Sequence, residues 1–169
     1  MKAKRASRTQ QHIHLAIVGP ANSGKTFTGL RIARGLVGPA GRILVIDTEK
    51  GSASLYADEP DVAGTFDVME LETFSPAYYV EALELAASMG YDAVLVDGLS
   101  HAWAGPGGAL EMVDVATAKD KSRNSWAAWR HVTPEHNRLI NALGMAPYHL
   151  IATMRSKVEW IVEKDEKTG

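Results

Sequence analysis

The fold of this chain is decided by the segment Gly19-Pro20-Ala21-Asn22-Ser23-Gly24-Lys25-Thr26. It has the pattern G-x-x-x-x-G-K-T, in which small residues let successive backbone N–H groups surround a phosphate. Residues 14–18 before it form a short apolar run, and residues 27–36 after it carry apolar side chains at helical spacing. A loop between a buried strand and a helix is the context that the pattern requires, because the positive end of the helix faces the anion. The sequence therefore predicts a nucleotide phosphate-binding loop.

Lys25 and Thr26 give this loop its chemistry. We expect the Lys25 ammonium to reach the terminal phosphates and the Thr26 hydroxyl to ligate Mg²⁺. ATP or ADP with Mg²⁺ is the expected ligand, and a GTPase is disfavoured because the sequence has no Asn-Lys-x-Asp motif. The predicted nucleotide contacts are Gly19, Pro20, Ala21, Asn22, Ser23, Gly24, Lys25, Thr26 and Phe27.

Composition indicates one globular domain preceded by a basic tail. The 169 residues are 46% hydrophobic and 22% charged, which are ordinary values for a globular protein. We expect residues 1–11 to form a flexible tail whose cations either fray in solvent or contact a phosphate backbone. The net charge of −2 excludes a globally basic nucleic-acid binder and leaves room for local patches. The cations of the tail are Lys2, Lys4, Arg5 and Arg8.

Cysteine and hydropathy restrict the setting in which the chain works. The sequence has no cysteine, so it forms no disulfide and no thiolate metal site, and this suits a reducing cytoplasm. The histidines show no His-x-x-x-His pair, so no histidine metal site is expected. No apolar run approaches the ~18 residues that span a bilayer, so we expect no membrane partner.

The remaining pattern alternates strands with helices, which predicts an α/β fold with a mostly parallel sheet flanked by helices. Strands are expected at residues 42–47, 66–71, 92–97 and 148–154, and the unbroken apolar runs among them indicate burial on both faces. Helices are expected after Ser75-Pro76, over residues 109–118, and from Thr133-Pro134 to Gly144. Residues 158–163 alternate as a half-exposed strand before a turn at 165–169. We expect this C-terminal hairpin to be cut short, with its partner strand missing or supplied by another molecule.

Two acidic residues follow buried strands. Asp97 ends the apolar run 93–96, where a carboxylate beside the phosphate loop can hold Mg²⁺ through water. Glu49 lies just past the second strand, where a carboxylate can face the γ-phosphate and orient water. Asp47 is the competing candidate for the base, although it ends the strand itself. His101 is either a γ-phosphate sensor or a polar residue of an exposed loop.

Ile46-Asp47-Thr48-Glu49 after the second strand, with the phosphate loop before it and Asp97 after it, resembles the RecA-like recombinase ATPases. The chain is also similar to small phage-encoded AAA/RecA-like proteins related to single-strand-annealing recombinases, through residues 45–49, 94–101, 126–129 and 153–157. The resemblance implies a RecA-like ATPase domain over residues 12–169, with an extra strand between the phosphate-loop strand and the Asp97 strand. It also implies that Glu49 is the catalytic base. Homo-oligomers with intersubunit ATP sites, in a bacterial or phage-infected host cytoplasm, are the corresponding setting.

Further cations lie in two places: directly after the fifth strand, and between the fourth and fifth strands. The resemblance gives Arg155 a γ-phosphate-sensing or intersubunit role, whereas the plain alternative is a solvated charge flanking a strand. A mixed run of cations and aromatics resembles the first DNA-facing loop of the recombinases, because single-strand binders pair phosphates and stack bases. Its tryptophans are equally consistent with the core of a helix. The predicted DNA contacts are Lys119, Lys121, Arg123, Trp126, Trp129 and Arg130.

The leading hypothesis is a Mg²⁺-dependent ATPase. Its catalytic residues would be Lys25, Glu49 and Arg155, and Thr26 and Asp97 would bind the metal. It would act on single-stranded DNA in recombination or annealing. A small-molecule kinase is the first alternative, because it also uses a phosphate loop. A nucleotide-gated interaction protein with little hydrolysis is the second.

Overall fold

The structure is a computed structural model that describes Arg5, residues 11–120 and residues 124–156. Several sequence predictions concern residues outside these ranges. They are the remaining cations of the basic tail, Lys121 and Arg123 of the expected DNA loop, and the C-terminal hairpin over residues 158–169.

Five strands form one parallel sheet in the order β1-β5-β4-β2-β3. The strands are β1 (His14–Gly19), β2 (Ile43–Asp47), β3 (Asp67–Glu70), β4 (Ala93–Asp97) and β5 (His149–Arg155). Every residue of β2 and β4 is buried, as their unbroken apolar runs predicted. Strand β5 lies between β1 and β4, so the extra strand that the resemblance implied is present. The predicted α/β fold is confirmed.

Helices cover both faces of the sheet. They are α1 (Lys25–Val37), α2 (Pro76–Ser88), α3 (His101–Ala104), α4 (Ala109–Lys119) and α5 (Ser125–Gly144), with a 3₁₀ helix at Ser52–Tyr56. Within the described ranges, no helix is long and apolar enough to cross a membrane.

Alternating strand residues separate the core into two layers. Leu44 and Ile46 of β2 pack in the cluster that contains the buried residues of α2 and Leu139 of α5. Ile43 and Val45 pack on the opposite face, in the cluster that contains the buried residues of α1. This division follows from the two-residue period of a strand, and it fixes α1, and with it the phosphate loop, on one face of the sheet.

Helix α5 differs from the sequence prediction. A new helix was expected at Thr133-Pro134, but α5 runs without interruption from Ser125 to Gly144 with Pro134 inside it. Proline removes one helical hydrogen bond, so packing must hold the helix on both sides of it. Before the proline, Ala128 and Val132 pack against α4, and after it Leu139 lies in the main core. Tertiary contacts therefore override the local break.

Arg34 fastens the end of α1 to the loop that precedes β3. Its Nε donates to Ala63 O at 2.7 Å, and its Nη2 donates to Thr65 O at 2.8 Å. Its Nη1 donates to the carbonyl oxygens of Gly38 and Gly41, each at 2.7 Å. A planar guanidinium satisfies these divergent acceptors together, which a single ammonium cannot do.

We expect Arg34→Lys to lower the free energy of unfolding by about 2 kcal/mol, because several charge-assisted hydrogen bonds are lost and carbonyls are left unpaired. Urea denaturation with and without the substitution measures this change. Arg31→Lys is the matched control, since Arg31 is an exposed residue of the same helix whose guanidinium lies 5.8 Å from the Phe27 ring. Equal stability of the two variants would show that the Arg34 hydrogen bonds do not stabilise the fold in this way.

Candidate nucleotide-binding site

The phosphate loop joins the end of β1 to the start of α1. Asn22 and Gly24 have φ angles of 59° and 77°, in the left-handed region that turns successive amides toward one side. A Cβ on Gly19 would lie 2.8 Å from Ser23 Oγ, so a larger residue at this position would displace the Ser23 side chain. The first helical bond of α1 runs from Thr28 N to Gly24 O at 2.9 Å, which leaves the amides before it without helical acceptors. The local geometry suits an anion.

Lys25 is folded over its own loop. Its Nζ donates to Pro20 O at 2.6 Å, and the side chain lies along the same cavity as Thr26, Glu49 and Arg155. A lysine in this position supplies a positive charge that can move between a carbonyl and a phosphate oxygen without any change in the backbone.

Asp97 links three parts of the site. It is 2% exposed, and its Oδ2 accepts a hydrogen bond from Thr26 Oγ1 at 2.7 Å. Its Oδ1 accepts a hydrogen bond from Thr153 Oγ1 of β5. Thr153 was not predicted as a site residue, although a hydroxyl inside an otherwise apolar strand was the available sign.

The oxygen ligands fit Mg²⁺. The described residues contain no group of three or more His, Asp or Glu side chains arranged to hold a metal. Mg²⁺ does not need such a group, because it binds through one or two protein oxygens and fills its octahedron with water and phosphate oxygens. Thr26 and Asp97 would therefore hold the metal that the phosphate loop implies.

Glu49 and Arg155 form an ion pair in the cavity. Arg155 Nε donates to Glu49 Oε1 at 3.1 Å, and Arg155 Nη2 donates to Glu49 Oε2. The two residues come from segments 106 positions apart in the chain, and the parallel sheet brings them to one edge. Two predicted catalytic residues therefore contact each other, and both line the cavity in front of the phosphate loop.

Asp47 is buried behind Glu49. It is 1% exposed, and burial raises its pKa above the ordinary value of an aspartate, with a smaller contribution from the nearby Asp97 charge. Its Oδ1 accepts the Glu49 amide, whereas its Oδ2 is buried without a partner among the described residues. Asp47 does not line the cavity, so its position favours support of the Glu49 loop over contact with a ligand.

His101 lies behind the site. It begins α3, half-buried, with Nδ1 2.7 Å from Thr48 Oγ1 and its ring stacked on Phe74 at a centroid distance of 5.0 Å. Thr48 is itself tied to β4, because its amide donates to Asp97 O at 2.7 Å and its hydroxyl accepts the Gly98 amide at 2.8 Å. His101 does not line the cavity. Through its contact with Thr48 it instead supports the ends of β2 and β4.

The cavity in front of the loop has a volume of about 330 Å³. Its wall includes three residues of the 3₁₀ helix that the sequence analysis did not assign: Ser52, Leu55 and Tyr56. The Tyr56 ring meets the Phe27 ring edge to face at 5.9 Å, so aromatic surface lies beside the phosphate loop. Nothing in the sequence of this short helix indicates which way it faces. The full lining is Ala21, Asn22, Ser23, Gly24, Lys25, Thr26, Glu49, Ser52, Leu55, Tyr56, Asp97 and Arg155.

This arrangement agrees with a comparison against protein families, in which residues 11–169 match the AAA domain. The chain belongs to the AAA domain family. Membership makes it a nucleotide-binding domain of the P-loop ATPase type. A search of curated proteins finds no match.

Those residues predicted to contact DNA that the structure describes do not line the nucleotide cavity of this AAA domain. Trp126, in the first turn of α5, is 83% exposed, and its amide is capped by Asn124 Oδ1 at 3.0 Å. Trp129 is half-buried against α4 and stacks on Trp103 at 5.6 Å. Lys119 and Arg130 are exposed. The two tryptophans, between which the sequence did not distinguish, therefore have different environments.

We expect Thr26→Val to abolish the contribution of Mg²⁺ to nucleotide binding, because valine keeps the shape of threonine without the hydroxyl. Thr26→Ser should keep that contribution. The measurement is calorimetric titration of ADP with Mg²⁺ and with a chelator in its place. Loss of the Thr26–Asp97 hydrogen bond should also lower stability by about 1 kcal/mol. If Mg²⁺ strengthens ADP binding equally in Thr26→Val and wild type, Thr26 is not a metal ligand.

Proposed function

We propose that this AAA domain is a Mg²⁺-dependent ATP hydrolase of RecA-like type that acts on single-stranded DNA in phage-type recombination or annealing. The observation that carries the hydrolase part is the position of Glu49, whose carboxylate shares one cavity with Lys25, Thr26 and Asp97. A base, a phosphate-binding cation and two metal-binding oxygens are the groups that phosphoryl transfer to water requires.

In the proposed reaction each residue has a separate task. The loop amides and Lys25 hold the phosphates, and Thr26 and Asp97 hold the metal. Mg²⁺ would neutralise charge on the phosphate oxygens. Glu49 takes a proton from water as the water oxygen bonds to the γ-phosphorus, and the bond from that phosphorus to the β–γ bridging oxygen breaks. ADP leaves with that oxygen, and Arg155 stabilises the charge on the γ-phosphoryl group.

The position of Tyr56 favours binding of an aromatic nucleobase in the same cavity. Its ring borders the loop beside Phe27, and Leu55 adds an apolar side chain that is 81% exposed. An apolar and aromatic wall next to a polar phosphate cradle matches the two ends of a nucleotide. The sequence has no Asn-Lys-x-Asp motif, which disfavours GTP.

The two alternatives from the sequence are less well supported. A small-molecule kinase would present Glu49 to an acceptor hydroxyl, but the order β1-β5-β4 agrees with the RecA-like resemblance. An interaction protein with little hydrolysis would not need a carboxylate in front of the phosphate loop. An intersubunit role for Arg155 is less favoured than a role in its own site, since it pairs with Glu49 of the same chain. Homo-oligomers and a cytoplasmic location remain part of the proposal through the resemblance alone.

We expect Glu49→Gln to bind ATP with Mg²⁺ and to lower the turnover rate at least about a hundredfold, because the amide cannot accept the proton from water. Lys25→Ala should instead lose ATP binding. Steady-state phosphate release and calorimetry separate the two effects. Asp47→Asn is the matched control for the competing base. Normal turnover in Glu49→Gln together with loss in Asp47→Asn would assign the base to Asp47.

The DNA part of the proposal rests on aromatic surface along α5 and α3. Trp103, exposed over 42% of its surface, stacks on Trp129 and borders a groove of about 540 Å³. Arg155 lies at the rim of this groove and also in the nucleotide cavity. Stacked bases on the tryptophans would therefore approach a residue that contacts the nucleotide site, which supports a link between the two ligands.

We expect single-stranded DNA to quench tryptophan fluorescence, and Trp126→Ala to weaken binding by about 1–3 kcal/mol without unfolding the domain. Trp129→Ala should lower stability as well, because that ring packs against α4. Titrations with an oligothymidylate at several salt concentrations measure affinity and its electrostatic share. Unchanged affinity in Trp126→Ala would remove the exposed tryptophan from the interface.

A further inference from the structure

Glu49 and Arg155 meet in a two-point contact. The two-point contact uses both carboxylate oxygens of Glu49 and the Nε and Nη2 donors of Arg155. Their side chains are only partly exposed, at 25% for Glu49 and 46% for Arg155. Both carboxylate oxygens of Glu49 are thus engaged by the guanidinium, and they must be released before they can orient water.

The backbone on each side of this pair is anchored. The Arg155 amide donates to Ser100 Oγ at 2.8 Å, and the next amide, of Ser156, donates to Gly19 O at 3.1 Å. The Glu49 amide donates to Asp47 Oδ1. A change of partner therefore needs only side-chain rotation, and the Arg155 side chain starts beside Gly19, its register partner in the sheet.

We propose that Glu49 and the γ-phosphate of ATP compete for Arg155, so that exchange of this ion pair lets the site distinguish a triphosphate from a diphosphate. The inference rests on the proposed function and adds a specificity step to it. A γ-phosphate carries more charge than a carboxylate and offers several acceptor oxygens to the guanidinium. When Arg155 transfers to it, both oxygens of Glu49 become free to orient water.

ADP lacks the group that competes. With ADP bound, Arg155 stays paired with Glu49, and the Glu49 carboxylate oxygens are not free to orient water. After hydrolysis, loss of inorganic phosphate removes the competing group, and Arg155 pairs with Glu49 again. The same contact thus couples recognition of the third phosphate to release of the base.

The test is a double-substitution cycle read by calorimetry, with adenylyl imidodiphosphate or ADP as the titrant and Mg²⁺ present. Glu49→Gln removes the competitor, so we expect the triphosphate analogue to bind about fivefold more tightly and ADP to bind as in wild type. Arg155→Gln should weaken the analogue roughly tenfold or more and leave ADP unchanged. In Arg155→Gln, the further change Glu49→Gln should have no effect on either ligand.

The control is Glu70→Gln, because Glu70 is the register partner of Asp47 at the same sheet edge and does not line the cavity. If Glu70→Gln strengthens the analogue as much as Glu49→Gln does, the effect is general electrostatics and the exchange is refuted. If both titrants bind wild type and Glu49→Gln leaves their affinity ratio unchanged, the exchange fails and the proposed function survives. If neither titrant binds wild type, the proposed function fails with it.

Discussion

The buried carboxylate of Asp97 is the contact on which the rest of this site depends. It accepts a hydroxyl hydrogen from Thr26 on the phosphate-loop helix and one from Thr153 on β5. The Asp97 carbonyl accepts the Thr48 amide at 2.7 Å, which sets the chain just before Glu49. An unpaired charge at 2% exposure would be costly, so these partners are obligatory and fix three segments against one another. The oxygens that we propose bind the metal, and the proposed base, are thus held by a single residue at the end of β4.

The sheet and the phosphate loop could be predicted from the sequence because both depend on local signals. Unbroken apolar runs specified buried parallel strands, and the loop turns at its own residues, with Gly24 at a φ angle of 77°. The confirmed position of β5 beside β1 came from the resemblance, since an apolar run does not specify its neighbours in a sheet. The roles of Glu49, Asp97 and Lys25 stay predictions, although the parallel topology brings all three to one cavity.

Features that depend on distant contacts could not be predicted. Pro134 is a local stop signal, yet the two halves of α5 pack on different clusters and the helix continues through it. Trp126 and Trp129 are one helical turn apart at most and have similar sequence surroundings, but α4 and Trp103 cover only Trp129. The inward face of Tyr56 likewise follows from how the 3₁₀ helix sits over Phe27. In each case the decisive partner lies far away in the sequence.

The cavity also shows how a chain can keep several charged side chains close together. Lys25 donates to a carbonyl of its own loop, Arg155 is paired with Glu49, and Asp97 is held by two hydroxyls. Each charge therefore has a partner within the protein, so ligand binding exchanges contacts and does not simply add them. The net free energy of ligand binding is the difference between two sets of charged interactions. It is therefore smaller than either set alone and depends more strongly on which ligand is bound. Discrimination between nucleotides that differ by one phosphate then depends on which pair the extra phosphate can replace.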